Sequence, residues 1–320
     1  MKLSYTKTGF LLTLVLILSI PMDTAWAQTS GGASITGGSA VGPDDGRPWF
    51  IVMGDSNAVG YDVTEAQIDT TPYGTLYSYV YTLNDALSYA NDPMFPNPAA
   101  RKSAWPTLAG KWMAERNEEV SFIMSAVGGT CIAHGQVYFE STYGGAHVGP
   151  PTDCADMPVW PPDPMIPRLN TVPGNEGQDY CWAKYQYQEA LDKHYLRPQQ
   201  LKAILLMVGA NDANDTNCVA HALMETKVEE FAAGVLRDFG KPVIVAPVGD
   251  QADWVAVAGR NATCLADVNS AMDDAIATPG NNVFAGPNLD DLDYSVDGVH
   301  IQSMSVVGGR WYTILNALFP

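Results

Sequence analysis

The chain has 320 residues, of which 47% are hydrophobic, and its 17 basic and 35 acidic side chains give a net charge of −18 at pH 7. Such an acidic surface repels nucleic acids and anionic membranes, and it disfavours polyanionic substrates. We therefore expect no nucleic-acid partner and no stable membrane insertion, and the charge suits an exported protein.

The N-terminus has the three parts of a secretory signal peptide. Lys2 and Lys7 form a basic region, residues 10–20 form a short apolar region, and Ala25-Trp26-Ala27 is a cleavage motif. An uncleaved membrane anchor is the alternative, but the apolar region is too short to span a bilayer comfortably. We expect cleavage of the signal peptide, residues 1–27, after Ala27, which leaves a secreted or periplasmic protein.

The rest of the chain divides into a leader and one large domain. Residues 28–46 are rich in Gly, Ser, Asp and Pro, which is typical of a flexible segment. Residues 47–320 are expected to form a single α/β domain with a long insertion around 132–179.

The apolar run 49–53 predicts a buried strand, and Gly54-Asp55-Ser56-Asn57 follows it directly. A serine on the turn after a buried strand has its hydroxyl exposed at the carboxyl edge of a sheet. Ser56 is therefore a candidate nucleophile, and an ordinary turn or cap serine is the alternative.

Helical patterns alternate with further apolar runs along the chain. Strands are predicted at 120–124, 201–208, 242–248 and 282–285, and helices at 103–117 with Ser103 as N-cap, 180–196, 219–239, 265–277 and 303–318. Strands separated by helices predict a parallel sheet with helices on both faces. Ligands in such folds bind beyond the carboxyl ends of the strands.

Two irregular stretches interrupt this alternation. Residues 61–101 are rich in tyrosine, and residues 132–179 are rich in proline and also contain aromatic residues. Loops of this length are usually functional or disordered. The aromatic content predicts an ordered loop wall beside the active site, with ordinary loop packing as the alternative.

Further blocks stand at the carboxyl ends of predicted strands or in the loops that follow them. Ser125–Thr130 follows the second strand, Val208–Asp212 follows the third, and Asp297-Gly298-Val299-His300 lies near the C-terminus. A histidine three residues after an aspartate can be oriented by that carboxylate and can take a proton from a serine. The other carboxylates that compete for this role are Asp55, Asp290 and Asp293.

These four blocks, in this order, resemble those of the SGNH (GDSL-like) hydrolases, and the resemblance spans residues 49–318. It implies an α/β fold with a flavodoxin-like parallel five-stranded sheet and helices on both faces. It also implies Ser56, Asp297 and His300 as the catalytic residues of a serine esterase that needs no cofactor and no metal.

The resemblance further implies an oxyanion hole. Its donors are the backbone N–H groups of Ser56 and Gly128 and the side-chain amide of Asn211, with Gly129 as an alternative to Gly128. Such preorganised donors stabilise the negative oxygen of a tetrahedral intermediate. Asn57 and Asp212 are expected to brace the loops.

The residues Ser56–Gly60 and Gly128-Gly129-Thr130 look most like the carbohydrate acetylesterase branch, which includes sialate O-acetylesterases. Asp55 stands where that branch usually has Gln, as in the broader lipase-like branch. The implied substrate is an acylated small molecule or polysaccharide. A lipid or small-ester hydrolase and a non-catalytic carbohydrate-binding protein are the alternatives.

The chain has five cysteines. In an exported protein Cys154–Cys181 and Cys218–Cys264 are plausible disulfides, which leaves Cys131 as a buried thiol. A zinc site is the rival interpretation because Cys218 and His221 have helical ligand spacing, but no second ligand pair accompanies them. Asp212, Asn214 and Asp215 form an incomplete calcium-loop pattern.

Overall fold

The structure is a computed structural model that describes residues 46–60, 78–81, 87–89, 92, 102–133, 169–173, 176–213, 218–249, 261–294 and 299–320. The predicted signal peptide, nearly all of the leader and most of the insertion 132–179 lie outside these residues. What the sequence predicts for these segments, and for the domain boundaries that depend on them, therefore stays a prediction.

Seven strands and six helices are described. The strands are β1 (Trp49–Gly54), β2 (Ser78–Tyr81), β3 (Leu87–Tyr89), β4 (Val120–Met124), β5 (Leu201–Met207), β6 (Val243–Ala246) and β7 (Val283–Ala285). The helices are α1 (Ser56–Val59), α2 (Trp105–Arg116), α3 (Gln178–Asp192), α4 (His221–Phe239), α5 (Ala262–Ala277) and α6 (Met304–Leu318).

The strands form one sheet in the order β3-β2-β4-β1-β5-β6-β7. The five predicted strands β4, β1, β5, β6 and β7 are adjacent, and every neighbouring pair among them is parallel. This is the predicted flavodoxin-like arrangement, and the fold class is confirmed. Because β1 is the central strand, the turn that follows it lies in the middle of the carboxyl edge of the sheet.

The tyrosine-rich stretch 61–101 contains two strands that the sequence analysis did not predict. β2 pairs with β4 in parallel, and β3 pairs with β2 in antiparallel orientation. The two strands therefore extend the sheet beyond β4 at one edge. Both strands are very short, with four and three residues. Tyrosine and valine favour strands, but segments this short have no clear periodicity among the surrounding Asn, Asp and Pro residues. The prediction that this whole stretch is irregular was wrong.

The sheet is buried between two layers of helices. Alternate residues of β1 face opposite sides, as expected for a strand: Trp49, Ile51 and Met53 pack with helices α3, α4 and α5, whereas Phe50 and Val52 pack with α2 and α6. All six residues of β1 are buried. This explains why the predicted strand is a continuous apolar run without polar alternation.

The predicted helix boundaries are confirmed to within a few residues, and Gly240 caps α4 as expected with φ 65°. The prediction for Ser103 was wrong. Ala104 precedes α2 without a side-chain cap, and the Ser103 hydroxyl donates instead to the Asp92 carboxylate at 2.7 Å.

The cysteine predictions agree with the described residues. Cys218 and Cys264 form a disulfide with a Cα–Cα distance of 5.4 Å, and Cys131 is buried and is not disulfide-bonded. Cys181 is also disulfide-bonded, while its predicted partner Cys154 lies outside the described residues. Among the helices of the described ranges, none has the length and apolar character to cross a membrane.

Substitution of Gly54, at the end of β1, tests how tightly the sheet constrains the turn that contains Ser56. It has φ 132°, and a Cβ added there would lie 1.8 Å from the carbonyl oxygen of Met207 on β5. We expect Gly54→Ala to lower the free energy of unfolding by about 3 kcal/mol or more, because the two central strands must separate. Urea unfolding followed by circular dichroism measures this change.

Gly240→Ala is the matched control. Gly240 also has a positive φ, but no atom lies within 4 Å of its added Cβ. Its cost should be about 1–2 kcal/mol, from backbone strain alone. Equal losses for the two variants would mean that the contact with Met207 does not constrain the turn.

Candidate active site

Ser56 begins the short helix α1 directly after the central strand, and 7% of its surface is exposed. The turn is anchored on both sides. The Asp55 N–H donates to the Met207 carbonyl on β5 at 2.9 Å, and the Asp55 carboxylate accepts from the Asn57 N–H at 2.9 Å. The position of the serine is therefore determined by main-chain and capping bonds to the two central strands.

The neighbouring side chain, Asn57, connects this turn to the segment that contains His300. Its amide nitrogen donates to the Val299 carbonyl at 3.2 Å, and its amide oxygen accepts from the Ile301 N–H at 3.0 Å. Asn57 is 4% exposed. One buried side chain next to Ser56 thus bonds the residues on both sides of His300.

The segment around His300 is also held from its other side. Tyr294 and Ile301 form an antiparallel bridge, and the Gln302 amide donates to the Tyr294 carbonyl at 2.8 Å. The Tyr294 hydroxyl donates to the carbonyl of Val248, just after β6. His300 itself is half-buried.

The predicted orienting carboxylate, Asp297, lies outside the described residues. Asp290 and Asp293 are exposed. Asp55 is buried, and its carboxylate accepts from the backbone N–H groups of Asn57 and Ala210. Asp55 therefore holds the Ser56 turn together, and Asp297 stays the predicted partner of His300.

The loop after β4 runs alongside the Ser56 turn. The Ser125 N–H donates to the Val52 carbonyl at 2.8 Å, and the Val127 N–H donates to the Gly54 carbonyl at 3.0 Å. These bonds extend the pairing of β4 with β1 and bring the two following glycines next to the start of α1. Gly128 is buried, and Gly129 is half-buried with φ 80°. Both glycines stay candidates for the oxyanion donor.

The Asn211 block is attached to the same loop. The Asn211 amide donates to the Thr130 carbonyl at 3.4 Å, and the Asp212 carboxylate accepts from the N–H groups of Ile132 and Ala133 at 3.0 to 3.2 Å. These contacts confirm that Asn57 and Asp212 brace loops. Because Asp212 is fully buried and binds main-chain N–H groups, it is not oriented as a calcium ligand, and Asn214 and Asp215 lie outside the described residues.

Two buried contacts of this loop with α3 were missed in the sequence. Ser125 donates its hydroxyl to Gln186 at 2.8 Å, and Thr130 donates its hydroxyl to the Asp179 carboxylate at 2.5 Å. A buried hydroxyl or carboxylate needs such a partner. The polar residues Asp179 and Gln186 within an otherwise apolar helix face were the available signal.

The carboxyl group of Asp55 has a pKa raised from its ordinary value of 3.8 to about 7. Burial is the largest cause. The hydrogen bond from the Asn57 N–H lowers the pKa, and the nearby Asp212 carboxylate raises it. Two buried carboxyl groups at this edge therefore favour the neutral form of Asp55 at mildly acidic pH.

Comparison with protein-family models and with curated proteins finds no match for the chain. Solved structures do have a similar fold. A protein from Arabidopsis thaliana has a TM-score of 0.59 at 12% sequence identity, over 86% of this chain and 99% of that one. A carbohydrate acetylesterase from Xanthomonas citri has a TM-score of 0.51 at 12% identity, over 84% of this chain but 55% of that one.

Such low identities establish the fold and leave the activity open. The predicted α/β architecture is confirmed, and the similarity to these two structures is a similarity of fold. The chain spans about half the length of the Xanthomonas protein.

The raised pKa of Asp55 predicts a specific pH dependence of stability. The folded state keeps its proton up to about pH 7, whereas the unfolded state loses it near pH 4. The contribution of protonated Asp55 to the free energy of unfolding is therefore fully present below pH 4. It is lost as the pH rises towards 7 and changes no further above that pH. In the Asp55→Asn variant, the free energy of unfolding should fall by up to about 4 kcal/mol less over this pH range than in the unaltered protein.

Urea unfolding at pH 4.5, 6 and 8 measures the decline for the unaltered protein and for Asp55→Asn. Asp293→Asn, at an exposed site, is the matched control and should keep the decline of the unaltered protein. If Asp55→Asn and Asp293→Asn decline equally with pH, Asp55 is not protonated in the folded state.

Proposed function

We propose that this chain is an exported serine esterase that removes O-acetyl groups from carbohydrate through an acyl-Ser56 intermediate. The observation that carries the proposal is the pair of Asn57 hydrogen bonds to Val299 and Ile301. They attach the segment of a candidate base, His300, to the turn of a candidate nucleophile, Ser56.

In the first half of the reaction, the Ser56 hydroxyl oxygen attacks the carbonyl carbon of the ester. His300 accepts the hydroxyl proton, and the carbonyl electron pair moves onto the oxygen to form a tetrahedral oxyanion. When the oxyanion collapses, the sugar oxygen leaves and takes the proton from His300. The serine is then acetylated, and the deacetylated carbohydrate is free to dissociate.

In the second half, a water molecule gives a proton to His300 and attacks the acetyl carbon. Collapse of this second oxyanion releases acetate and returns the proton to the Ser56 oxygen. Asp297 is assigned to orient the His300 ring and to stabilise its charged form in both halves.

Three donors are assigned to the oxyanion: the backbone N–H groups of Ser56 and Gly128 and the amide of Asn211. Their positions support the assignment. The first N–H groups of a helix have no acceptor within it, and Ser56 is the first residue of α1. Asn211 reaches the Gly128 loop through its bond to the Thr130 carbonyl, and an amide nitrogen has a second N–H that can bind the oxyanion.

The carbohydrate acetylesterase assignment is supported by the residues Ser56–Gly60 and Gly128-Gly129-Thr130. It is also supported by the similar fold of a carbohydrate acetylesterase, and the net charge of −18 favours a neutral glycan over a polyanionic one. Export is supported by the predicted signal peptide and by the Cys218–Cys264 disulfide, which persists in oxidising compartments.

Asp55 favours a second candidate, an esterase for lipids or small acyl esters, because the lipase-like branch has this aspartate in the block. The two candidates differ in the acyl group that they release. A screen of acetylated xylan, an O-acetylated sialoside and p-nitrophenyl esters of increasing acyl length separates them.

Ser56→Ala should lower the rate of acetate release from acetylated xylan by at least about a thousand-fold, because the nucleophile is lost. His300→Ala should lower it nearly as far. The measurement is the initial rate of acetate release, with circular dichroism to verify folding.

Two exposed residues provide matched controls. Ser270→Ala on α5 and His194→Asn, whose φ of 58° suits asparagine, should keep the normal rate. Near-normal turnover by Ser56→Ala contradicts the mechanism. Release of long-chain acids in place of acetate favours the lipid esterase, and glycan binding without hydrolysis by the unaltered protein favours the non-catalytic alternative.

A further inference from the structure

Three side chains of the metal-binding types converge on the outer side of helices α4 and α5. His221 and Glu225 are four residues apart on α4 and therefore lie on the same face of that helix. Asp274 reaches them from α5. One ligand atom from each residue lies within 4.8 Å of the other two, and His221 Nε2 is 3.1 Å from Asp274 Oδ2.

These distances are close to those of a chelate. In a tetrahedral zinc site with bonds of about 2.0 to 2.2 Å, neighbouring ligand atoms are separated by roughly 3.4 Å. The His221–Asp274 pair, at 3.1 Å, is already close to this separation. Glu225 has to move its carboxylate by a small rotation of a flexible side chain.

A covalent bond also connects the two helices, at the start of α5 and ten residues before Asp274. Cys218 precedes His221 by three residues, and its disulfide to Cys264 attaches the start of α4 to α5. Ligands that come from two fixed helices lose little conformational entropy when an ion binds.

Negative charge is concentrated at the end of α5. Asp273 and Asp274 are adjacent, exposed carboxylates near its C-terminal end. The last turn of α5 also lacks a basic residue, although the C-terminal end of a helix favours a cation. A bound cation relieves both the repulsion and the unfavourable end charge.

We propose that His221, Glu225 and Asp274 bind one divalent transition-metal ion of the Zn²⁺ class. One imidazole and two carboxylates favour such an ion over Mg²⁺ or Ca²⁺, which take oxygen ligands. Cys218 is not a ligand because it is bonded to Cys264. The other two ligands are therefore Glu225 on α4 and Asp274 on α5. The ion connects the two helices and stabilises the fold.

Isothermal titration of the untagged mature protein with ZnCl₂ tests the site. We expect one ion per chain, and an increase in the melting temperature when the ion binds. His221→Ala and Asp274→Asn should each lower the Zn²⁺ affinity by at least about ten-fold. Asp274→Asn keeps an oxygen that can accept a hydrogen bond from His221, so it separates ligand loss from unfolding.

Glu229→Gln is the matched control, because it removes the same charge as Glu225→Gln one helical turn further along α4. It should leave the Zn²⁺ affinity unchanged, whereas Glu225→Gln should weaken it. The proposal is overturned if no Zn²⁺ binds, if His221→Ala binds it as tightly as the unaltered protein, or if Glu229→Gln weakens it equally. The test measures binding and does not depend on esterase activity.

Discussion

The two hydrogen bonds of the Asn57 side chain connect parts of the chain that are more than 240 residues apart in sequence. The amide of Asn57 is buried and bonds backbone groups on both sides of His300, so removing it leaves a carbonyl and an N–H without their partner. The rest of the arrangement supports this contact. β1 places Asn57 at the middle of the sheet edge, the Asp55 cap determines the turn, and Tyr294 supports the His300 segment from behind.

The polar groups at this edge also explain why it is not built for maximal stability. Asp55 and Asp212 are both buried, and each holds backbone N–H groups of a loop that the proposed reaction uses. Burial, with a smaller contribution from the neighbouring Asp212 carboxylate, raises the pKa of Asp55, so the fold loses stability towards neutral pH. Local rules are broken most often at functional sites, and both buried carboxyl groups bind loops that contain candidate residues.

Much of the fold was predictable because its signals are local. Five strands appear as apolar runs, since β1, β4 and β6 are wholly buried, and the helices between them require a parallel sheet. β2 and β3 were missed because three or four residues contain too little periodicity, and Ser103 was misassigned because its partner Asp92 competes with the helix end. The four blocks predict Ser56, Gly128, Asn211 and His300 as site residues, and these stay predictions. The partners of Asn57 and Asp212 were not predictable, since contacts across about 80 or more residues leave no local pattern. For the same reason, the contact between Asp274 and His221 was not predictable from the sequence.

The central claim is that Ser56 is an activated nucleophile whose base is positioned through Asn57. The most direct test is covalent labelling of the mature protein with a serine-reactive alkyl phosphonate, followed by peptide mass spectrometry. We expect one adduct per chain, on Ser56, and labelling that is at least about ten-fold slower in Asn57→Ala because His300 is no longer held in position. An adduct on another residue, or an Asn57→Ala variant that is labelled at the normal rate, would contradict it.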